Sequence, residues 1–283
     1  MRMLFILAVL SVATPARAQT QPVVHQRLVA LLNPMGMEHS VSAGLRNPLG
    51  DPDSLFFEGA HTEVGVRSYV SPVYAVQGGY VEVSPLSFLV LSFETTGTVM
   101  WPIGMDGAGY YPLNGYHADV QSDALPGDAG ESATGWEMTM GLTLQGALAI
   151  GPTRLLVASA LTARHATLGA SSHYYSLRHD LVLAARDWVI QNEAVALVQV
   201  TVERGTTVLL GAYDQVRYVP RSGYVGHQVG PMAALSFEAP DALVSGIDVF
   251  VRGGMYSDHV TRAGQPTVLG GVNVHYGAAP EEN

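Results

Sequence analysis

Residues Trp136-Glu137-Met138-Thr139-Met140-Gly141-Leu142-Thr143-Leu144-Gln145-Gly146-Ala147-Leu148-Ala149-Ile150 decide the fold. Apolar side chains at Trp136, Met138, Met140, Leu142, Leu144, Leu148 and Ile150 alternate with Glu137, Thr139, Thr143 and Gln145. Successive side chains of a strand point to opposite faces, so this run presents one greasy face and one wet face. It is about twice as long as an ordinary globular strand and matches a tilted strand crossing a bilayer. The pattern therefore predicts an all-β protein, a transmembrane antiparallel up-and-down β-barrel.

The same alternation recurs along the chain. It predicts strands at 25–33, 37–46, 58–70, 73–83, 86–100, 135–150, 153–163, 188–203, 206–219, 224–238, 243–256 and 266–276. That is about 12 strands, or 10 if the two weakest, at the N-terminal end, are left out. An even count brings both termini to the periplasmic side. Short turns at 84–85, 151–152, 204–205 and 239–241 fall on that side, whereas the longer stretches 101–134, 164–187 and 257–265 fall outside. Two connections break this parity, a long one at 47–57 inside and a tight Ser71-Pro72 turn outside.

Composition agrees with a membrane barrel. Only 13% of the residues are charged, about half the usual share of a soluble domain. Residues 1–18 combine Arg2, an apolar run from Leu4 to Val12 and a small-x-small end at Ala16-Arg17-Ala18, the pattern of a cleaved secretory signal. The expected organisation is thus a signal peptide at 1–18, a barrel at 19–276 and a short tail at 277–283. Without Arg2 and Arg17 the chain carries 12 basic against 24 acidic residues, which argues against nucleic acid as a partner. There is no cysteine, so disulfide and thiol chemistry are excluded.

Lipid-facing rows are expected at Val64/Val66/Val70, Ala194/Ala196/Val198/Val200/Val202, Leu235/Phe237 and Ile247/Val249/Val251. Opposite parity assigns Glu63, Arg67, Glu137, Glu193, Glu203, Arg217, Asp248 and Arg252 to the lumen, together with His61, Arg46, Glu82, Gln199, Thr201, Glu238, Asn273 and His275. These rows hold seven acidic and four basic groups, an excess that favours cations if a path is open. Aromatic residues near strand ends, namely Tyr69, Tyr74, Tyr80, Trp101, Trp136, Trp188, Tyr218, Tyr224, Tyr256 and Tyr276, are expected to form interfacial girdles.

No residue set stands out as a reaction centre. His165, His173 and His179 with Asp180 share one outer stretch, but their spacings match no compact metal motif. Asp51 and Asp53 suit a Pro-containing turn without any ion. Ser257-Asp258-His259 has the residue types of a triad, yet sequence neighbours rarely converge in the needed geometry, and no Gly-x-Ser-x-Gly elbow occurs. No catalytic residue, metal or cofactor is expected, and the chain is expected not to be an enzyme.

Val268, Gly270, Val272, Val274 and Tyr276 resemble the C-terminal signal by which outer-membrane barrels are recognised by their assembly machinery, with seven residues following the aromatic. Leu31-Leu32-Asn33-Pro34-Met35-Gly36, Val64-Gly65-Val66 to Ser71-Pro72-Val73-Tyr74, and Val83-Ser84-Pro85-Leu86 are similar to uncharacterised outer-membrane β-barrel proteins of high-GC Gram-negative bacteria. The resemblance spans most of the mature chain and implies the bacterial outer membrane, with outer-membrane lipids, lipopolysaccharide and the assembly machinery as partners. It brings no catalytic residues. The functional expectations, in order, are a narrow pore or passive channel for small solutes with a mildly cation-favouring lumen, a non-conducting envelope scaffold or surface-recognition barrel, and an outer-membrane lipid hydrolase.

Overall fold

Twelve long antiparallel strands close on themselves when the last pairs with the first. In chain order they are β1 (Gln21–Leu32), β2 (Gly36–Pro48), β3 (His61–Ser71), β4 (Tyr74–Leu86), β5 (Leu89–Met100), β7 (Ala133–Ile150), β8 (Thr153–Leu168), β11 (Arg186–Glu203), β12 (Thr206–Val219), β13 (Tyr224–Glu238), β14 (Val244–Asp258) and β15 (Pro266–Tyr276). Three short strands, β6 (Tyr111–Leu113), β9 (His173–Ser176) and β10 (Leu181–Ala184), form a separate sheet in the order β10-β9-β6. The computed structural model describes residues 20–51, 53–116, 125–203, 205–238, 244–259 and 262–276, so the expected signal peptide and tail lie outside the described residues.

Closure is carried by nine residue pairs between β1 and β15, from Val24 opposite Tyr276 to Leu32 opposite Val268. A barrel has no sheet edge, and in hydrocarbon an unpaired backbone group costs several kcal/mol. The first two strands, the weakest in sequence pattern, complete the cylinder, so the ten-strand alternative is set aside. Strand starts and ends follow the expected positions closely, and β13 coincides with 224–238. The outer connections are shorter than expected because β8 runs on to Leu168 and β11 begins at Arg186.

Period-2 alternation sorts the side chains as physics requires. Val64, Val66, Val198, Val200, Val202, Leu235, Phe237, Ile247, Val249 and Val251 are all exposed on the outer surface. Leu197, Tyr213, Gln215 and Phe250 occupy the opposite parity and are buried. Where β4 pairs with β5, a Cβ on Gly78 would lie 1.9 Å from the Thr95 carbonyl oxygen, so only glycine fits there.

The apolar core sits at the outer mouth and not at mid-barrel. It gathers Val73, Val76, Met100, Leu168, Val189 and Val219 from strand ends around Tyr110, Tyr174, Leu181 and Leu183 from the small sheet. The described parts of the two outer connections, 101–116, 125–132 and 169–185, thus fold inward and cover the barrel's outer end.

An outward arginine at mid-strand should expose the lipid-facing parity. Val249→Arg is expected to cost about 2 to 4 kcal/mol, measured by guanidinium-induced unfolding in lipid vesicles. A change within about 0.5 kcal/mol would place Val249 away from lipid.

Candidate functional site: the closed outer mouth

The turn between β9 and β10 carries Arg178, His179 and Asp180, and it reaches groups on six barrel strands and on the connection after β14. Arg178 Nη1 donates to Glu137 Oε2 of β7 at 2.8 Å, and its Nε lies 3.5 Å from Glu38 Oε2 of β2. Its guanidinium stacks 4.5 Å from the ring centroid of Tyr69 on β3. Tyr74 of β4 donates to the same Glu38 at 2.7 Å. His179 lies between Arg164 of β8, which donates to Nδ1 at 3.2 Å, and Glu137, whose Oε1 is 3.5 Å from Nε2. Arg217 of β12 donates to the His179 carbonyl at 3.0 Å.

Asp180 anchors the other side. Its Oδ2 accepts from Arg262 Nε at 2.9 Å and from the Tyr256 hydroxyl at 3.4 Å, and Tyr175 donates to its Oδ1. His259 Nε2 lies 3.1 Å from the Asp180 carbonyl oxygen. Asp180 also adopts a positive φ of 53°, a conformation Asp tolerates better than most residues. Every charge brought inside is therefore matched, as burial demands.

The burial shows in the titration of the turn. Burial, reinforced by the Arg164 and Arg178 guanidiniums, holds His179 down to about 4 despite the pull of Glu137. Burial pushes Asp180 upward, but the His259 hydrogen bond, the Arg262 guanidinium and the Tyr175 hydroxyl outweigh it and hold the carboxyl down to about 2.

Below the mouth lies a cavity of about 420 Å³ in the half of the barrel away from it. Charged Arg27, Glu193, Glu238, Asp248 and Arg252 line it, with Gln199, Asn273 and Phe250 between them. Arg252 Nη1 bonds Glu193 Oε2 at 3.0 Å and stacks 4.8 Å from the Tyr213 ring centroid. Asp248 accepts from Ser236 at 2.7 Å and faces His275 Nε2 at 2.8 Å.

The expected lumen residues fall into separate groups. Glu63 pairs with Arg46 at 2.7 Å and accepts from the Tyr80 hydroxyl at 2.5 Å, while Arg67 bonds Glu94 at 3.0 Å. Glu137 and Arg217 belong to the mouth, and Glu193, Asp248 and Arg252 to the cavity. Glu203 is the exposed last residue of β11, at the rim opposite the mouth. Arg27, Arg164, Arg178 and Arg262 escaped sequence reasoning. Arg27 and Arg164 sit on the wet parity of β1 and β8, a readable signal, whereas the other two lie in loops whose destination no periodicity reveals.

Aromatic residues at strand ends divide by parity. Trp136, Trp188 and Tyr218 are exposed on the outer face, and Tyr276 donates from that parity to Gln26 Oε1 at 3.0 Å. Trp101 is half-buried just beyond β5, its Nε1 donating to the Pro72 carbonyl at 2.8 Å. Tyr256 is corrected: it is only 2% exposed, because it shares the inward row of β14 with Asp248 and Arg252. Tyr69, Tyr74, Tyr80 and Tyr224 are likewise turned inward, toward the arginines and the apolar core. The three loop histidines disperse as well. His165 lies on the outer face between Trp136 and Trp188, with centroids 5.3 and 5.1 Å away, His173 packs against Tyr116, and His179 is in the mouth.

Scans against protein-family models and curated proteins found no match. Among solved structures the chain is similar to the NanC porin, with 8% identity and a TM-score of 0.38 over 89% of this chain and 98% of that one. It is also similar to OmpT, an outer membrane protein of Vibrio cholerae, with 8% identity and a TM-score of 0.34 over 90% and 96%. CdiB from Acinetobacter baumannii aligns at 8% identity and a TM-score of 0.35, over 91% of this chain and 60% of that one. Closed ladder and apolar outer surface define the class directly: a twelve-stranded antiparallel β-barrel whose exterior suits hydrocarbon.

Acid should loosen the mouth. A released hairpin takes up a proton on His179 below about pH 6.5, but a docked one does so only near 4, so docking weakens as pH falls across that interval. Asp180 adds a second loss as pH falls from about 3.8 toward 2. Amide-exchange protection factors of 173–184 should decline steadily from pH 6.5 to 4.5. Values unchanged over that range would contradict the arrangement.

Proposed function

We propose that the barrel is a narrow passive channel for small solutes whose outer mouth is closed down by the β9–β10 hairpin. The carrying observation is the vertical arrangement of a lined cavity of about 420 Å³ beneath an ion-paired plug. A solute entering from the periplasmic end meets Glu193, Glu238 and Asp248 against Arg27 and Arg252. Three acidic to two basic groups make the lumen mildly cation-favouring, since charged linings set a pore's selectivity. Glu63 and Arg67 line the remaining wall, Glu203 stands at its rim, and Glu137 and Arg217 secure the plug. The channel would lie in the outer membrane, its girdle of Trp101, Trp136, Trp188, Tyr218 and Tyr276 at the headgroup levels and its outer rim against lipopolysaccharide. Val268 to Tyr276 on β15 would engage the assembly machinery during insertion.

Current through single barrels in a planar bilayer tests this directly. The intact protein is expected to show small or rare openings, and deletion of 173–184 should raise conductance several-fold while preserving the heat-modifiable gel shift. Glu193→Gln with Asp248→Asn should move the reversal potential toward anions. Silence from both intact and deleted forms would leave a non-conducting scaffold in place of a channel.

A further inference from the structure

On the outside of the barrel, Asp214 of β12, His227 of β13 and Ser257 of β14 form a contiguous chain of hydrogen bonds. His227 Nε2 lies 2.8 Å from Asp214 Oδ2, and the Ser257 hydroxyl bonds His227 Nδ1. Their parity is lipid-facing, shared with exposed Leu210 and Tyr218 on β12, Val225 and Val229 on β13, and Met255 on β14. A carboxylate in such a row is costly unless something requires it. Pairing with His227 reduces that cost but does not explain why both were placed there.

The backbone supplies a second, independent observation. Register between β13 and β14 slips at this point: His227 pairs with Asp258 and Gln228 with Tyr256, so Ser257 is the extra, unpaired residue of a β-bulge. Bulges re-aim side chains and concentrate next to active sites. Here the bulge delivers the Ser257 hydroxyl to an imidazole thirty positions earlier in the chain. Tautomer and roles then follow from the partners. Asp214 can only accept, so the proton resides on Nε2, and the Nδ1 lone pair faces the serine hydroxyl.

We infer that Asp214, His227 and Ser257 form a serine-hydrolase site that cleaves fatty-acyl esters of membrane lipids at the outer face of the barrel. Asp214 and His227 stand five and three residues inside their strand tips, about 8 to 13 Å below the rim for strands rising about 3.3 Å per residue at a tilt of about 40°. Outer-leaflet acyl esters lie in that zone, just below the headgroups, and the neighbouring Val225, Val229 and Met255 form the apolar surface along which acyl chains rest.

In the first step His227 Nδ1 takes the hydroxyl proton as Ser257 Oγ attacks the ester carbonyl carbon. The tetrahedral intermediate collapses with cleavage of the carbon to alcohol-oxygen bond, and the leaving alcohol takes the proton from Nδ1. Water, the second substrate, then gives a proton to Nδ1 and attacks the acyl carbon. Ser257 Oγ leaves with that proton, and a fatty acid is released. Asp214 is a positioning residue that holds the ring and offsets the imidazolium charge. The site uses none of the groups in the mouth or the cavity, so it stands or falls separately from the channel.

The test uses the purified, folded full-length barrel in two sets of detergent micelles, one containing phosphatidylethanolamine and one containing lipopolysaccharide. Fatty acid release from the first identifies glycerophospholipid as the source of the ester, and release from the second alone identifies lipid A. Ser257→Ala and His227→Ala should each lower release at least about 100-fold with the heat-modifiable shift intact. Asp214→Asn should lower kcat with KM unchanged, and His39→Ala, another histidine on the outward parity, should match the wild type. A fluorophosphonate should label the wild type on Ser257. Absence of both release and label in folded wild-type protein, or release undiminished by Ser257→Ala, overturns the assignment.

Discussion

The ladder between β1 and β15 is the constraint on which the whole structure depends. A strand in hydrocarbon has no water to satisfy its amides, so twelve strands are stable in a bilayer only as a closed ring. Removing that seam would leave the backbone N–H and C=O groups of β1 and β15 as the exposed edges of an aggregating sheet. Closure also creates an interior that must be filled or wetted, and the two halves of the barrel meet that demand differently. The outer half is packed by its own connections, and the inner half keeps a charged cavity.

Packing the mouth required carrying Arg178, His179 and Asp180 out of water. Ion pairs of this kind add little net stability against apolar substitutes, but leaving one member unpaired is severe, so they fix geometry more than they add strength. The turn is tied to several elements at once: Arg178 to Glu137 on β7 and Glu38 on β2, the His179 carbonyl to Arg217 on β12, and Asp180 to Arg262 in the connection after β14. The hairpin can therefore seat in one orientation. The same property makes it a discrete element, docked or released, on which a gate can be built.

Strand positions were legible because the membrane imposes a strict period-2 code, and β7, β11, β12 and β13 follow it for fourteen residues or more. What remained illegible depends on long-range contacts. Tyr174 and Leu183 lie in a polar connection without periodicity, and only the fold shows that they fill the mouth. Tyr256 was misplaced because proximity to a strand end outweighed parity. Parity was also the neglected clue to the outer-face triad, since Asp214 and His227 are polar groups in rows otherwise given to lipid. Sequence adjacency drew attention to Ser257-Asp258-His259, yet Ser257 faces outward while His259 packs against Tyr256 inside. The partner of Ser257 was visible only after the β13–β14 register and its bulge were known.

The two proposed sites thus share one cylinder: a wet interior closed at the mouth, and a polar cluster on the apolar outer face. Both presuppose that the ring is complete. Hydrogen exchange of the protein reconstituted in a bilayer tests that most directly. Amides of Val24 to Leu32 and Val268 to Tyr276 should be as protected as those paired between β11 and β12. Rapid exchange along β1 and β15, with protection confined to the central strands, would show an open sheet and contradict the account.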